Sequence, residues 1–351
     1  MKKRNETKKV CIGRVQVGGQ HKIVIQTMAK NRAKHIKEAL KEINTYATEG
    51  AEMIRFSVLD DADALAFKTL KAQTDVPLIA DIHYNHRLAL MAIEAGVDKI
   101  RINPGNINDQ EKVKAIVEKA KAYQIPIRLG INLGSLEKNA EKAYGKTAKA
   151  MVESAKTYVE FFESLDFYDI VISLKASDVA TTIEAYSLAA EIFDYPLHLG
   201  ITEAGPTYQG TIKSAAALGA LIYQGIGDTI RISLSGDRLD ELKACKTLLA
   251  AFDLYKHPTL ISCPTCGRLA YEMGPIITEI EQYLENHPTD LKVAIMGCSV
   301  NGPGEAQDAD IGIAGGKNEA LLFIKGKIVK KIKEDEILKT LIDAIETYDK
   351  P

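Results

Sequence analysis

A chain of 351 residues, 46% of them hydrophobic, is long enough for one large domain plus a small one, or two of moderate size, each with its own core. A formal net charge of -2 leaves no electrostatic footprint for nucleic acid, and no apolar run reaches the roughly 20 residues a membrane span needs. The opening "MKKRNETKKV" is basic with no apolar region behind it, so it reads as the solvated tail of a cytoplasmic chain, not a signal or transit peptide.

From about residue 22 to 235 a short β-branched run alternates with a longer Ala-, Lys- and Glu-rich segment of helical periodicity. The runs are "IVIQTM", "MIRFSV", "PLIADIH", "DKIRINP", "IPIRLGIN", "DIVISLK", "PLHLGIT" and "TIRISLSG". Gly punctuates several helix-to-strand returns, as in "TEGAEMIRF" and "EAGVDKIRI". Alternation of this kind implies a parallel sheet with right-handed crossovers, and eight units favour a closed (β/α)8 TIM barrel over an open doubly wound sheet. The dinucleotide fingerprint G-x-G-x-x-G does not follow the first run, which weakens the nucleotide-binding form of the open sheet.

The barrel domain is expected over 1–255 and a second domain over 256–351. A last helix, "DRLDELKACKTLLAAFDLY", leads into "KHPTLISCP", where a Pro on each side suggests a linker. Beyond it, "TDLKVAIMGC", "ADIGIAGG", "ALLFIKGKIV" and "DEILKTLIDAIETY" read as a small α+β domain. "GGKN" in this domain lacks the spacing of a phosphate loop.

In a barrel of this kind the C-terminal ends of the strands and the loops after them line the site. Those positions hold Arg55, Asp81, His83, Arg101, Asn103, Arg128, Asn132, Lys175, Glu203, Arg231 and Ser233. Arg55, Arg101, Arg128, Lys175 and Arg231 would converge from five strands with few anions to meet them. Either neighbouring carboxylates pair with them and they only stabilise the barrel, or an anionic ligand supplies the missing partners. Arg forks suit phosphate oxygens, which favours a phosphate or diphosphate ester.

Of five cysteines, three cluster late in the chain, which is unlike a secreted disulfide framework and points to a metal site in a reducing compartment. Cys11 and Cys245 stand alone and read as small buried or partly buried thiols. Cys263 and Cys266, at C-x-x-C spacing, place two thiolates on one turn, and Cys298 lies where the apolar "KVAIM" meets "NGPG". Two metal readings compete. A structural Cys3His zinc site would need His287, the one histidine between the second and third cysteines. An iron-sulfur cluster would need a fourth ligand or an open iron, and Glu305, seven residues after Cys298, is the oxygen candidate.

"CPTCGR" and "MGCSVNGPGEA", with "VQVGGQHKIVIQTM", "PLIADIHYNHRLAL", "KIRINPGN", "IRLGINLGSL", "ISLKASD", "LHLGITEAG" and "IRISLSGD" in order, resemble the 4-hydroxy-3-methylbut-2-enyl diphosphate synthases of the methylerythritol phosphate route to isoprenoids. The likeness spans nearly the whole chain and is to the compact bacterial two-domain form. It implies a TIM barrel followed by an iron-sulfur domain, and a 4Fe-4S cluster held by Cys263, Cys266, Cys298 and Glu305. The implied reaction is two-electron reductive ring opening of 2-C-methyl-D-erythritol 2,4-cyclodiphosphate, with loss of water, to 4-hydroxy-3-methylbut-2-enyl diphosphate. The resemblance further implies that the strand-end cations, with Asn132 and Ser233, hold the diphosphate. Glu203 is then expected as proton donor or hydrogen-bond partner to the substrate hydroxyl, with Asp81 and His83 orienting the same region. Reduced ferredoxin or flavodoxin would bring electrons, and a homodimer would set the cluster domain of one subunit over the barrel mouth of the other. A non-redox barrel lyase or transferase on a phosphate ester, with a zinc-bearing tail, is the alternative, and a binding module using that zinc site is a second.

Overall fold

The computed structural model describes residues 4–107, 109–287, 289–298, 304 and 306–348. The chain divides into two compact units, Met1–Leu254 and Tyr255–Pro351.

Within the stretch expected as a solvated tail, Arg4–Glu6 form a short turn and Thr7 Oγ1 donates to Asp228 at 2.9 Å, and a hairpin begins at its last residue. Strands β1 (Val10–Ile12) and β2 (Val15–Val17) pair antiparallel through a turn at Gly13, whose φ of 53° suits a residue without a Cβ. Val10, Ile12 and Val17 are buried against Val24, Met53, Ile79 and Val171, which come from four different barrel strands. The hairpin is therefore an apolar plug for the barrel interior. Three residues per strand is too short for a period-2 pattern to stand out from the charged run before it.

Eight parallel strands follow: β3 (Val24–Met28), β4 (Met53–Ser57), β5 (Leu78–Ile82), β6 (Lys99–Ile102), β7 (Ile127–Asn132), β8 (Ile170–Lys175), β9 (His198–Leu199) and β10 (Thr229–Ile230). Their order is β8-β7-β6-β5-β4-β3-β10-β9, and a parallel bridge from Ile172 to Leu197 joins the ends into a ring. This is the (β/α)8 barrel expected from the eight runs. Each strand is followed by a helix, among them Asp61–Lys71, Val179–Ile192 and Arg238–Ala250, whose first turns are capped by Asp60, Asp178 and Asp237. Along each strand alternate residues face opposite ways. Ile54 and Phe56 pack outward in the core while Arg55 between them faces the barrel interior.

The second unit is a five-stranded sheet in the order β11 (Thr259–Ser262), β12 (Lys292–Met296), β13 (Ile311–Gly316), β14 (Glu319–Ile324) and β15 (Lys327–Lys333). The first three are parallel and the last two antiparallel. Two helices, Met273–Asn286 and Ile337–Tyr348, bury Ile280, Leu284, Leu341 and Ile345 against Val293, Ile295, Ile311 and Ile313. Part of the expected linker is thus a strand: Pro258 and Pro264 flank β11, an edge strand, where a missing amide breaks no ladder. The helix Met273–Asn286 was not expected either. Its Pro275 falls in the first turn, where a helix tolerates it, and not at a break.

Candidate functional site

Successive strand ends of the barrel bring together Met28, Arg55, Asp81, His83, Arg101, Arg128, Asn132, Ser173, Lys175, Glu203, Arg231 and Ser233 around a cavity of about 320 Å³. Every mouth residue singled out from the sequence lines it except Asn103. That side chain is buried and spent on its own loop: Nδ2 donates to Ser135 Oγ at 2.7 Å and Oδ1 accepts from the Gly105 amide at 3.1 Å. It shapes the loop after β6 instead of facing a ligand.

Two glycines make room for two of the cations. A Cβ on Gly130 would lie 2.2 Å from Arg101 Nε, and Arg101 Nη2 donates to the Gly130 carbonyl at 3.1 Å. A Cβ on Gly200 would lie 2.4 Å from Lys175 Nζ. The "LGI" of "IRLGIN" and "LHLGIT" was therefore a legible sign that long side chains cross the barrel from neighbouring strands.

The carboxylates present cover part of the positive charge. Asp81 stands 3.5 Å from Arg55 Nε, 3.2 Å from Arg101 Nη1 and 3.6 Å from His83 Nε2. Burial alone would raise its pKa, but Arg55, His83 and Arg101 outweigh that and hold it well below the usual range. Glu241, absent from the sequence reading, is buried behind Arg231, with an oxygen 3.4 Å from Arg231 Nη2 and another accepting the Leu234 amide at 2.9 Å. A lone glutamate in "DRLDELKAC" has no feature that separates it from a solvated helix face.

Arg128 and Lys175 differ from these. Arg128 is fully buried, and among the described residues nothing accepts a hydrogen bond from its Nε, Nη1 or Nη2. Burial, then Arg55 and Arg101, push its pKa well down, and burial followed by Arg231 and Arg128 does the same to Lys175. Arg55 is lowered to about 10, first by burial, against the pull of Asp81. The cavity thus presents more cationic than anionic groups on side chains that are themselves buried, where an unmatched cation is costly. A multiply charged anion would offset that cost.

Glu203 follows β9 with an exposed side chain and a φ of 55°, a left-handed backbone uncommon for a residue with a Cβ. That backbone places a carboxyl at the cavity rim.

In the second unit the cysteines sit at strand ends. Parallel pairing of Ser262 with Ile295 carries the chain into Cys263 beside Met296, two residues before Cys298. The Gly297 amide donates to Cys263 Sγ at 3.2 Å, and Leu269 N donates to the Cys266 carbonyl at 3.0 Å in the turn that follows. Cys263 and Cys298 are half-buried and Cys266 is exposed. Glu305 lies outside the described residues. Among the described residues no three His, Cys, Asp or Glu side chains are close enough to hold one metal ion. Thiolates bound to separate irons of a cluster stand wider apart than ligands of one ion, and an amide donating to a sulfur suits such a site. The donor set fits an iron-sulfur cluster.

His287 does not fit the zinc alternative. The helix Met273–Asn286 starts beside the cysteines, because a Cβ on Gly297 would come 2.6 Å from Met273 Sδ. Fourteen residues later, about 20 Å along the axis, His287 stacks on Tyr283 at 3.9 Å and bonds its carbonyl at 2.8 Å. Of the two lone cysteines, Cys245 is buried, with its thiol pushed up to about 12 by burial. Cys11, expected to be at least partly buried, is exposed, because on the short β1 it faces away from the plug.

Residues 7–246 match the family model described as the GcpE TIM-barrel domain, and residues 259–347 match the GcpE protein C-terminal domain. The chain is 51% identical over 347 residues to the 4-hydroxy-3-methylbut-2-en-1-yl diphosphate synthase (flavodoxin) of Exiguobacterium sibiricum, covering 97% of this chain and 94% of that protein. It is 49% identical over 345 residues to the protein of the same name from Bacillus subtilis, covering 98% and 92%. Among solved structures, the dihydropteroate synthase of Stenotrophomonas maltophilia aligns with a TM-score of 0.51 at 15% identity, over 70% of this chain and 98% of its own. That likeness concerns the barrel fold alone. With both family models matched in tandem and half of all residues shared with full-length relatives, the chain belongs to the GcpE family.

Proposed function

We propose that this chain is a flavodoxin-dependent 4-hydroxy-3-methylbut-2-enyl diphosphate synthase of the methylerythritol phosphate pathway. It opens 2-C-methyl-D-erythritol 2,4-cyclodiphosphate reductively and releases a hydroxyl as water. The observation that carries the reading is the cavity where, among the described residues, Arg55, Arg101, Arg128, Lys175 and Arg231 face only Asp81 and Glu203 as lining carboxylates. Ring opening frees a phosphate oxygen and adds one negative charge to the diphosphate. Cations already fixed in the cavity wall stabilise that developing charge without reorganising.

Asp81 orients the guanidinium groups of Arg55 and Arg101 and leaves their outer N–H groups for phosphate oxygens. Lys175 and Arg128 approach from β8 and β7, and Asn132 and Ser233 supply neutral polar groups to the same cavity. Glu203 at the rim hands a proton to the departing hydroxyl. Cys263, Cys266, Cys298 and Glu305 would hold a 4Fe-4S cluster, which when bound supplies the electrons one at a time. The carboxylate is the odd ligand, harder and weaker for iron than thiolate. The printed names of the relatives favour flavodoxin over ferredoxin as donor. A homodimer, with one subunit's cluster unit serving the other's barrel, belongs to the same proposal, and a monomer in light scattering of active enzyme would remove it.

The test is turnover of the cyclic diphosphate by anaerobically reconstituted protein with an artificial one-electron donor. Linear diphosphate should form only with reductant present. Product formed equally well without reductant would indicate non-redox chemistry and overturn the reading.

A further inference from the structure

Beneath the cavity the barrel interior holds a second tier of polar side chains that the reaction above does not use. In a TIM barrel this tier is ordinarily filled by branched aliphatic residues. Here it includes Lys99, at 0% exposure, and His198, whose Nδ1 lies 2.7 Å from Thr229 Oγ1 and whose Nε2 has no partner among the described residues. Gln26 is equally buried, and both its side-chain polar atoms lack partners among the described residues. Lys99 shares the interior side of β6 with Arg101, since the alternate residues Ile100 and Ile102 face the other way. Its Nζ stands 3.9 Å from Sδ of Met53, the β4 residue against which the hairpin plug packs.

No carboxylate among the described residues pairs with Lys99. The charged groups that face it are Arg128 from β7 and Arg55 from β4, and the titratable group is His198 from β9. Asp81 on β5 is already engaged by Arg55, Arg101 and His83. A buried amine among like charges serves no packing purpose that a methionine would not serve better. It does have one property an aliphatic residue lacks, because it can hold or release a proton as the charge above it changes.

We propose that Lys99 is the proton acceptor of the anion site, taking up a proton from solvent when a diphosphate enters the cavity above it, so that substrate binding is proton-coupled. The inference rests on the reading of the cavity as a diphosphate site. In the free protein, burial first and then Arg128 and Arg55 disfavour the ammonium form. A bound diphosphate offsets the field of those two guanidinium groups, and the ammonium form becomes favourable. Uptake on binding means that affinity weakens as pH rises between the free and bound pKa values of this amine. Lys99 is then a positioning group for charge that acts on the ligand through Arg128.

The test is calorimetric titration of the reconstituted protein, without reductant, with 2-C-methyl-D-erythritol 2,4-cyclodiphosphate. Each phosphorus of this ligand has a single acidic oxygen that is already ionised at neutral pH, so the ligand contributes no protons. In two buffers of different ionisation heat, the wild type should show net uptake, with affinity falling by at most about tenfold per pH unit for each proton taken up. Lys99→Met should still bind while its uptake drops by about one proton and its pH slope flattens. Lys99→Gln, which retains bulk and polarity, should match Lys99→Met. Binding without buffer dependence in the wild type would overturn the inference and leave the diphosphate site standing. Unchanged uptake in both variants would also overturn it, assigning the proton to Lys175 or His198. No binding in the wild type would overturn the site and the inference together.

Discussion

At the scale of single residues the cavity is a problem in unmatched charge, and Arg128 is its sharpest case. With no acceptor for any guanidinium nitrogen among the described residues, Arg128 costs the free protein stability and contributes only when an anion arrives. Arg128→Met should therefore leave the melting temperature unchanged or raised while weakening binding of the cyclic diphosphate by about 1.5–3 kcal/mol, the worth of a charged hydrogen bond. Thermal unfolding and titration on the same preparation decide the matter, and failure to fold would return Arg128 to a structural role. Glu203→Gln should lower kcat by about 10²–10⁴-fold with little change in KM, as loss of a general acid does. An unchanged kcat would move the proton to another donor. Arg55, Arg101, Arg128, Lys175 and Arg231 were legible in the sequence because a charge in a β-branched run is out of place. Lys99 and His198 stood in the same runs and were missed, because two residues below the rim nothing local separates an interior polar residue from an outward one. Asn103 was read as a ligand group because a strand-end amide has the same signature whether it faces a cavity or ties a loop.

At the scale of elements, the strand ends hold together through close approaches and buried polar links. Gly200→Ala would set a Cβ 2.4 Å from Lys175 Nζ and 2.9 Å from the Arg231 carbonyl, and the second of these is backbone. This variant should lose substrate affinity and melt lower, which thermal scans and titration would show; wild-type values for both would mean β9 and β10 yield freely there. Below the barrel, Asp228 accepts from the Leu197 amide at 2.8 Å and from Thr7 Oγ1 at 2.9 Å, which ties the N-terminal segment to the entry of β9. Burial raises this carboxyl to about 6. Because the folded pKa lies above the unfolded one, the native state holds the proton more tightly. The associated stability is fully present below about pH 4 and is lost as pH climbs through about 6. Denaturant midpoints at pH 4.5 and 7 should show the wild type losing on the order of 2 kcal/mol relative to Asp228→Asn over that window, and parallel curves would contradict the assignment. The eight βα units could be read because each pairs a period-2 run with a 3.6-period one. The strand β11 could not, because four residues between prolines look the same in a linker and at a sheet edge.

At the scale of the whole molecule, a cationic barrel is followed by a unit carrying three cysteines, and the roles of the two are separable by experiment. Cys298→Ser should remove one of three thiolate anchors and give protein depleted in iron and colour, yet the cyclic diphosphate should still bind to the barrel. Glu305→Ala should keep the thiolates and assemble a cluster that loses iron more readily, with turnover falling steeply. Wild-type turnover in Glu305→Ala, measured alongside iron per chain, would sink the role given to that carboxylate. The fold class of both units could be read from periodicity, whereas the fourth ligand could not be chosen from spacing alone. In the sequence both His287 and Glu305 offer a donor near the cysteines, and the length of the helix Met273–Asn286 puts the histidine out of reach. The most direct measurement is the metal content of wild-type protein purified and reconstituted without oxygen. Iron and acid-labile sulfide near four of each per chain, with the brown absorption of a cluster, is the predicted result. Stoichiometric zinc in a colourless protein that still binds the cyclic diphosphate would contradict the account at its centre.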